Sequence, residues 1–124
     1  LGYIRAGIPL DAVEEILDYE EVDPAMAAKG DLFALRVKGD SMEPRIREGD
    51  VIICAETPCV ESGTVAVVLV NGNEASVKKV VKHKEGLSLV AFNPAYSPMF
   101  YTNEECETLP VRIVGRVIEL RGKF

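Results

Sequence analysis

The chain has 124 residues, of which 48% are apolar, a length that suits one hydrophobic core and predicts a single domain. It carries 14 Lys and Arg residues against 20 Asp and Glu residues, and this net charge of -6 argues against direct DNA binding by this segment. Apolar runs such as residues 65–70 are far shorter than the roughly 20 residues of a membrane-spanning helix, so we expect no membrane segment and a cytoplasmic protein.

The N-terminal segment gives two competing signals. Leu10, Val13 and Leu17 recur at helical spacing, and Asp11 with Glu14 matches a capping box at the start of a helix. Two glycines and a proline precede this stretch and an acidic run follows it, which favours an extended arm lying over a β core. The residues themselves leave both interpretations open.

The remainder of the chain predicts an antiparallel β domain. Short alternating or continuous apolar stretches recur between Gly, Pro and Asn positions; Phe33, Leu35 and Val37, for example, alternate with Ala34 and Arg36. An Asn-Gly dipeptide at positions 71 and 72 suits a tight hairpin between two of the strands. Six strands are predicted, over residues 32–38, 51–55, 65–70, 75–82, 87–92 and 111–120. We therefore expect a mostly β fold, a small twisted barrel or sandwich.

Cysteine and histidine usage argues against a metal site. Cys54, Cys59 and Cys106 are odd in number and form no CxxC pair, and His83 has no Cys or His partner at a metal-ligand spacing. We expect no disulfide framework, no metal and no cofactor. Cys54 lies within an apolar run and is expected to be a buried small hydrophobe, whereas His83 is expected to be solvated.

Ser41 lies in a glycine-bounded turn after the first predicted strand, where backbone N–H groups can converge into an oxyanion hole. A serine hydroxyl needs a base, and one solvated histidine does not supply the usual His-Asp pair. Lys78 is an alternative base, because an inward-facing lysine is desolvated and desolvation favours the neutral amine. Most serines in turns and most lysines on strands have no catalytic role, so pattern alone leaves this pair a hypothesis.

Residues 37–52 and 77–80 carry a family resemblance. Their sequences, Val-Lys-Gly-Asp-Ser-Met-Glu-Pro-Arg-Ile-Arg-Glu-Gly-Asp-Val-Ile and Val-Lys-Lys-Val, resemble the LexA and phage-repressor family of self-cleaving peptidases. The resemblance implies that Ser41 is the nucleophile and Lys78 its base. Lys79 then takes the next, non-catalytic place.

The start of the chain resembles the cleavage segment of the same family. Residues 1–10 read Leu-Gly-Tyr-Ile-Arg-Ala-Gly-Ile-Pro-Leu, and family members are cut between Ala and Gly, which here are Ala6 and Gly7. The resemblance thus implies a cleavage-site arm over residues 1–23. A β catalytic core of the LexA C-terminal and signal-peptidase-like type would occupy residues 24–124.

The residues around the serine receive supporting roles. The resemblance implies that the backbone N–H groups of Asp40 and Ser41 hold the oxyanion, and that Met42 belongs to the core or the wall of the cleavage pocket. The side chains of Asp40 and Asp50 are expected to hydrogen-bond local turn backbone. Arg45 departs from the family pattern, in which a smaller polar residue is frequent.

The function implied by the resemblance is that of an autoproteolytic C-terminal domain of a LexA-like or prophage-type transcriptional repressor in the SOS response to DNA damage. Its expected partners are a second copy of the chain, a RecA-type filament that triggers cleavage, and operator DNA bound only through an N-terminal domain preceding residue 1. Two alternatives stay open: a non-cleaving dimerisation or sensing domain, and a UmuD-like accessory subunit of a translesion polymerase. A signal-peptidase-like enzyme acting in trans is disfavoured by the expected lack of a membrane segment.

Overall fold

The computed structural model describes the backbone of residues 16–20, 32–71 and 74–122, and the side chains of residues 32–71 and 75–122. Eight strands and one short helix, α1, occur within these residues. The strands are β1 (Ile16–Glu20), β2 (Leu32–Val37), β3 (Val51–Glu56), β4 (Thr64–Val70), β5 (Glu74–Lys82), β6 (Gly86–Val90), β7 (Met99–Thr102) and β8 (Val111–Arg121); α1 is Asn103–Thr108.

All eight strands belong to one antiparallel sheet in the order β1-β2-β3-β8-β4-β5-β6-β7. The last strand therefore lies between β3 and β4, although those two are consecutive in the chain. Gly115 of β8 makes this close packing possible, because a Cβ atom there would lie only 2.7 Å from the Phe33 ring of β2. The C-terminal strand thus joins the two halves of the sheet.

The prediction of a mostly β, antiparallel fold is confirmed, and each of the six predicted strands is present. The predicted hairpin joins β4 to β5, which are paired from Val70 opposite Glu74 onward. Asn71 at its start has a φ of 54°, the left-handed conformation that Asn tolerates better than most residues. Gly72, the second residue of the predicted turn, lies outside the described residues.

Two strands and the helix were not among the predicted elements. Ile16–Glu20 is a strand, so the helical interpretation is wrong at Leu17, while the earlier part of that segment lies outside the described residues. Residues 99–102, where no strand was predicted, form the edge strand β7. Helix α1 begins with a capping box between Thr102 and Glu105. Across the described part of the chain, no helix is long and apolar enough to cross a membrane.

The main core packs against the turn that carries the serine. The largest buried cluster joins side chains from β2, β3, β4, β5 and β8 with two from the turn between β2 and β3, Met42 and Ile46. These two are 1% and 4% exposed. Full burial of a side chain of this size contributes about 1.5–3 kcal/mol, so the turn is anchored by its own apolar residues.

Candidate active site

The turn of residues 38–50 is closed at its base by backbone hydrogen bonds. Val37 N donates to Asp50 O, and Gly49 N donates to Val37 O, each at a distance of 2.8 Å. Gly39 and Gly49 both have φ of 91°, a conformation that favours glycine. The Gly-Asp pairs seen in the sequence therefore mark the two ends of a defined turn.

Ser41 and its neighbours occupy the inner side of this turn. Ser41 is 4% exposed and Met42 is 1% exposed, so Met42 lies in the core, and its place in the wall of a cleavage pocket stays a prediction. Asp50, at the far end, is 7% exposed and accepts a hydrogen bond from Arg47 N through its carboxylate at 2.9 Å. The local backbone bond predicted for Asp50 is confirmed.

Lys78 reaches the serine from β5. Its Nζ lies 3.1 Å from Ser41 Oγ and 3.2 Å from the carbonyl oxygen of Val77. Lys78 is opposite Ala66 in the register with β4, and Ala66 is completely buried, while Lys78 itself is half-buried. The amine and the hydroxyl are thus within the hydrogen-bond distance that proton transfer requires.

The environment of β5 differs from that of a strand with one buried face. Val80, on the same side as Lys78, is completely buried, as the inward-facing interpretation of Lys78 requires. Ala75 and Val77 on the other side are also completely buried, and they belong to a different core cluster from Val80. Lys78 therefore emerges from a strand that is covered on both faces.

A loop after β6 contacts the serine turn through Asn93. The Asn93 side-chain Nδ2 donates to Asp40 O, and Asn93 N donates to Ser41 O, each at a distance of 3.0 Å. Two consecutive carbonyl groups of the turn are therefore bonded to one residue that lies more than 50 positions later in the chain.

Tyr96 adds a side-chain contact between the same loop and the same turn. Its phenol donates a hydrogen bond to Asp40 Oδ1. The prediction that the Asp40 side chain bonds local backbone is wrong: this exposed carboxylate is reached by a distant phenol. The analysis of the sequence missed both Asn93 and Tyr96, and the only local signal at Asn93 is the turn-forming Asn-Pro dipeptide.

Other residues singled out in the sequence lie apart from the contacts between Ser41 and Lys78. Cys54 is completely buried, as predicted, and burial raises the pKa of its thiol far above the ordinary value. His83 is exposed, and its Nε2 lies 2.9 Å from Ser88 Oγ. Arg45 is exposed and its guanidinium lies over the Phe92 ring at 5.3 Å.

The bond predicted as the cleavage site lies outside the described residues. The structure gives no geometry for Ala6 and Gly7, and the assignment of the Asp40 and Ser41 N–H groups to an oxyanion hole stays a prediction. What the structure brings together is a buried serine, a half-buried lysine and a loop bonded to the turn of the serine.

The antiparallel β domain places the Ser41 hydroxyl against the Lys78 amine, and a serine paired with a lysine is one of the known variants of a serine nucleophile with its base. The model of the family described as peptidase S24-like matches residues 1–118, and the chain belongs to that family.

The particular relatives are repressors. The chain is 35% identical to a LexA repressor of Ruegeria sp. (strain TM1040) over 97% of this chain and 48% of the relative. It is 42% identical to a LexA repressor of Syntrophobacter fumaroxidans (strain DSM 10017 / MPOB) over 100% of this chain and 57% of the relative. The chain therefore spans about half the length of the curated relatives it matches.

Proposed function

We propose that this chain is the self-cleaving serine-lysine peptidase domain of a LexA-like repressor, and that it hydrolyses its own Ala6-Gly7 bond. The observation that carries the proposal is the 3.1 Å distance between Lys78 Nζ and Ser41 Oγ. Membership of the peptidase S24-like family supports it, because the family shows that a peptidase is the class of activity to expect.

The first half of the reaction transfers the acyl group to the serine. The neutral amine of Lys78 accepts the hydroxyl proton of Ser41, and Ser41 Oγ attacks the carbonyl carbon of Ala6. Backbone N–H groups of Asp40 and Ser41 stabilise the negative oxygen of the tetrahedral intermediate. Protonated Lys78 then gives its proton to the amine of Gly7, and the bond between Ala6 and Gly7 breaks.

The second half restores the enzyme. The segment that ends at Ala6 remains bound as an ester on Ser41 Oγ until a water molecule, deprotonated by Lys78, attacks the ester carbonyl. The ester bond breaks, the Ser41 hydroxyl regains a proton, and the N-terminal fragment leaves with a new carboxyl group on Ala6. The net reaction is hydrolysis of one peptide bond, and it needs no cofactor.

Substrate and catalyst lie on one chain, so the reaction is effectively unimolecular. Its rate is then set by the fraction of molecules in which the cleavage segment occupies the site, and a partner that favours this state accelerates cleavage. We place this control within a cytoplasmic repressor that dimerises through this domain and is cleaved in the SOS response, with a RecA-type filament as the trigger. The LexA repressor names of the two relatives support this setting.

Intact-mass analysis of the purified chain tests the proposal. The protein is incubated from neutral to strongly alkaline pH, because an amine acts as a general base only in its deprotonated form. We expect a product beginning at Gly7 whose rate of formation rises with pH. Ser41→Ala and Lys78→Ala should abolish it, because each removes one partner of the proposed proton transfer.

Two neighbours on β5 provide matched controls. Ser76→Ala removes a hydroxyl and Lys79→Ala removes an amine from the same strand without touching the contact between Ser41 and Lys78. Both variants should cleave like the wild type. A folded wild type that stays intact at every pH would contradict the proposal and favour a dimerisation or sensing domain. Cleavage in the Ser41→Ala or Lys78→Ala variant would show that the dyad is wrongly assigned.

A further inference from the structure

Asn93 makes a double contact with the serine turn. Its Nδ2 donates to the Asp40 carbonyl and its backbone N donates to the Ser41 carbonyl, each at a distance of 3.0 Å. Its own side chain is held in place, because Asn93 Oδ1 accepts a hydrogen bond from Ala95 N at 3.0 Å. Its carbonyl accepts a further bond from Tyr96 N at 3.1 Å.

These contacts fix the two peptide groups on either side of the Ser41 Cα atom. A peptide unit is planar, so a hydrogen bond to its carbonyl restrains the orientation of the whole unit. Bonds to the Asp40 and Ser41 carbonyls therefore restrain both backbone dihedral angles of Ser41. The remaining freedom of Ser41 Oγ is rotation of its own side chain, and the contact with Lys78 Nζ at 3.1 Å restrains that rotation.

The same contact orients an N–H group. In a trans peptide the N–H points opposite to the C=O of the same unit. The cis peptide bonds of the described residues are Glu43-Pro44 and Leu109-Pro110, so the unit between Asp40 and Ser41 is trans. Because Asn93 Nδ2 bonds the Asp40 carbonyl, the Ser41 N–H is directed away from Asn93, toward the opposite side of the turn.

We propose that Asn93 is a positioning residue for the peptidase reaction: it holds the Asp40-Ser41 peptide so that the serine hydroxyl faces Lys78 and the Ser41 N–H points away from Asn93, to the side proposed for the oxyanion. The inference rests on the proposed function and adds to it a residue from a separate loop. An asparagine suits the position, since it combines a second donor to Asp40 O, which also accepts from Glu43 N at 3.1 Å within the turn, with an acceptor for Ala95 N.

Tyr96 adds a contact at the surface that holds the same turn. Its phenol bonds Asp40 Oδ1, so the loop after β6 holds Asp40 by side chain as well as by backbone. Tyr96 is 45% exposed, and a hydrogen bond in contact with water contributes less than a buried one. The effect of losing the phenol should therefore be smaller than the effect of losing the Asn93 amide.

The test compares two asparagines that make the same kind of bond. Asn93→Asp keeps the size and the acceptor but removes the donor, and Asn93→Ala removes both. Asn103 provides the matched control, since its Nδ2 donates to Lys84 O, in the turn between β5 and β6, at a distance of 2.9 Å. We expect both Asn93 variants to cleave about 10-fold to 100-fold more slowly, the size of effect that small misplacement of a reacting group produces. The Asn103→Asp and Asn103→Ala variants should cleave at rates close to that of the wild type.

Two further readouts separate positioning from loss of folding. The pH dependence of the cleavage rate should keep its shape in the Asn93→Ala variant, because this change adds no charge and does not touch Lys78; Asn93→Asp is left out of this readout, since its new carboxylate can shift the profile by itself. Hydrogen exchange of the peptide covering residues 38–46 should be faster in both Asn93 variants than in the Asn103 variants at equal thermal stability. If the Asn93 variants do not fold, Tyr96→Phe serves instead, with a several-fold lower cleavage rate expected.

The outcomes distinguish this inference from the proposed function. Wild-type cleavage rates and unchanged exchange in the Asn93 variants would overturn the positioning role and leave the peptidase intact. A shift of the pH profile in the Asn93→Ala variant would also overturn it, because Asn93 would then act through the base. A wild type that never cleaves would overturn the proposed function, and the exchange measurement would still decide whether Asn93 holds the turn.

Discussion

At the scale of single residues, two contacts hold the Lys78 amine beside the serine. Its Nζ lies 3.2 Å from the Val77 carbonyl oxygen and 3.1 Å from Ser41 Oγ. The backbone bond thus restrains a long, flexible side chain in the position that proton transfer needs.

The three thiols should differ in reactivity, because the thiolate is the reactive form. Burial raises the pKa of Cys54, and at Cys106 partial burial and then the neighbouring Glu105 and Glu107 carboxylates raise the pKa. A raised pKa lowers the thiolate fraction at neutral pH. We expect iodoacetamide to modify exposed Cys59 first, Cys106 more slowly and Cys54 last, as measured by peptide mass spectrometry.

Alkylation of the unfolded chain provides the control for this order. In guanidinium the burial is lost, so all three thiols should react at similar rates. Modification of Cys54 as rapid as that of Cys59 in the folded chain would contradict the burial of β3 described above.

A single residue can be picked out from the sequence only when the signal that marks it lies in the neighbouring residues. Ser41 and Lys78 each lie in a short motif, and a motif can be read without knowing the fold. The Asp40 side chain was assigned a local partner because turn aspartates commonly bond their own backbone, yet its partner is Tyr96. Contacts between a turn and a loop more than 50 residues away leave no trace in spacing, so the role of Asn93 could not be predicted.

At the scale of elements, β8 is the strand on which the sheet depends. It pairs with β3 on one side and β4 on the other. Gly115 lies where the strand passes over the Phe33 ring, and a Cβ there would come within 2.7 Å of a ring carbon and 3.2 Å of the Ala55 carbonyl. Both neighbours are fixed by their own strands, so there is little room for them to move.

Gly115→Ala should therefore destabilise the fold. We expect the free energy of unfolding to fall by about 1–3 kcal/mol, the usual cost of overpacking a well-packed core. Urea denaturation followed by circular dichroism measures it. Gly122→Ala is the matched control, because its added Cβ meets only an ordinary contact at 3.6 Å. Equal stability of the two variants would contradict the close packing of β8 on β2.

The strands that sequence predicted and those it missed differ in burial. The six predicted strands contain the buried apolar side chains that create a visible pattern. In β7, by contrast, Met99 and Phe100 are 52% and 50% exposed, and the strand forms the edge of the sheet. Helix α1 has no buried residue, so apolar periodicity could not mark it; its capping box, Thr102 with Glu105, is the one local signal.

At the scale of the whole molecule, the site exists only once the sheet has formed. The serine comes from the turn between β2 and β3, the lysine from β5 and Asn93 from the loop after β6. Strand order could not be predicted from sequence, because the insertion of β8 between β3 and β4 depends on long-range packing. The net charge of -6 agrees with a domain whose role does not include direct contact with DNA phosphates.

A mixing experiment distinguishes cleavage of a chain by its own serine from cleavage by another molecule. Unlabelled wild-type chain is mixed with an equal amount of ¹⁵N-labelled Ser41→Ala chain, and intact masses are followed over time at alkaline pH and several protein concentrations. We predict that only the unlabelled chain loses residues 1–6, in a first-order reaction whose rate constant does not change with concentration. Equal cutting of the labelled chain, or no product beginning at Gly7 from either chain, would contradict cleavage of this chain by its own Ser41.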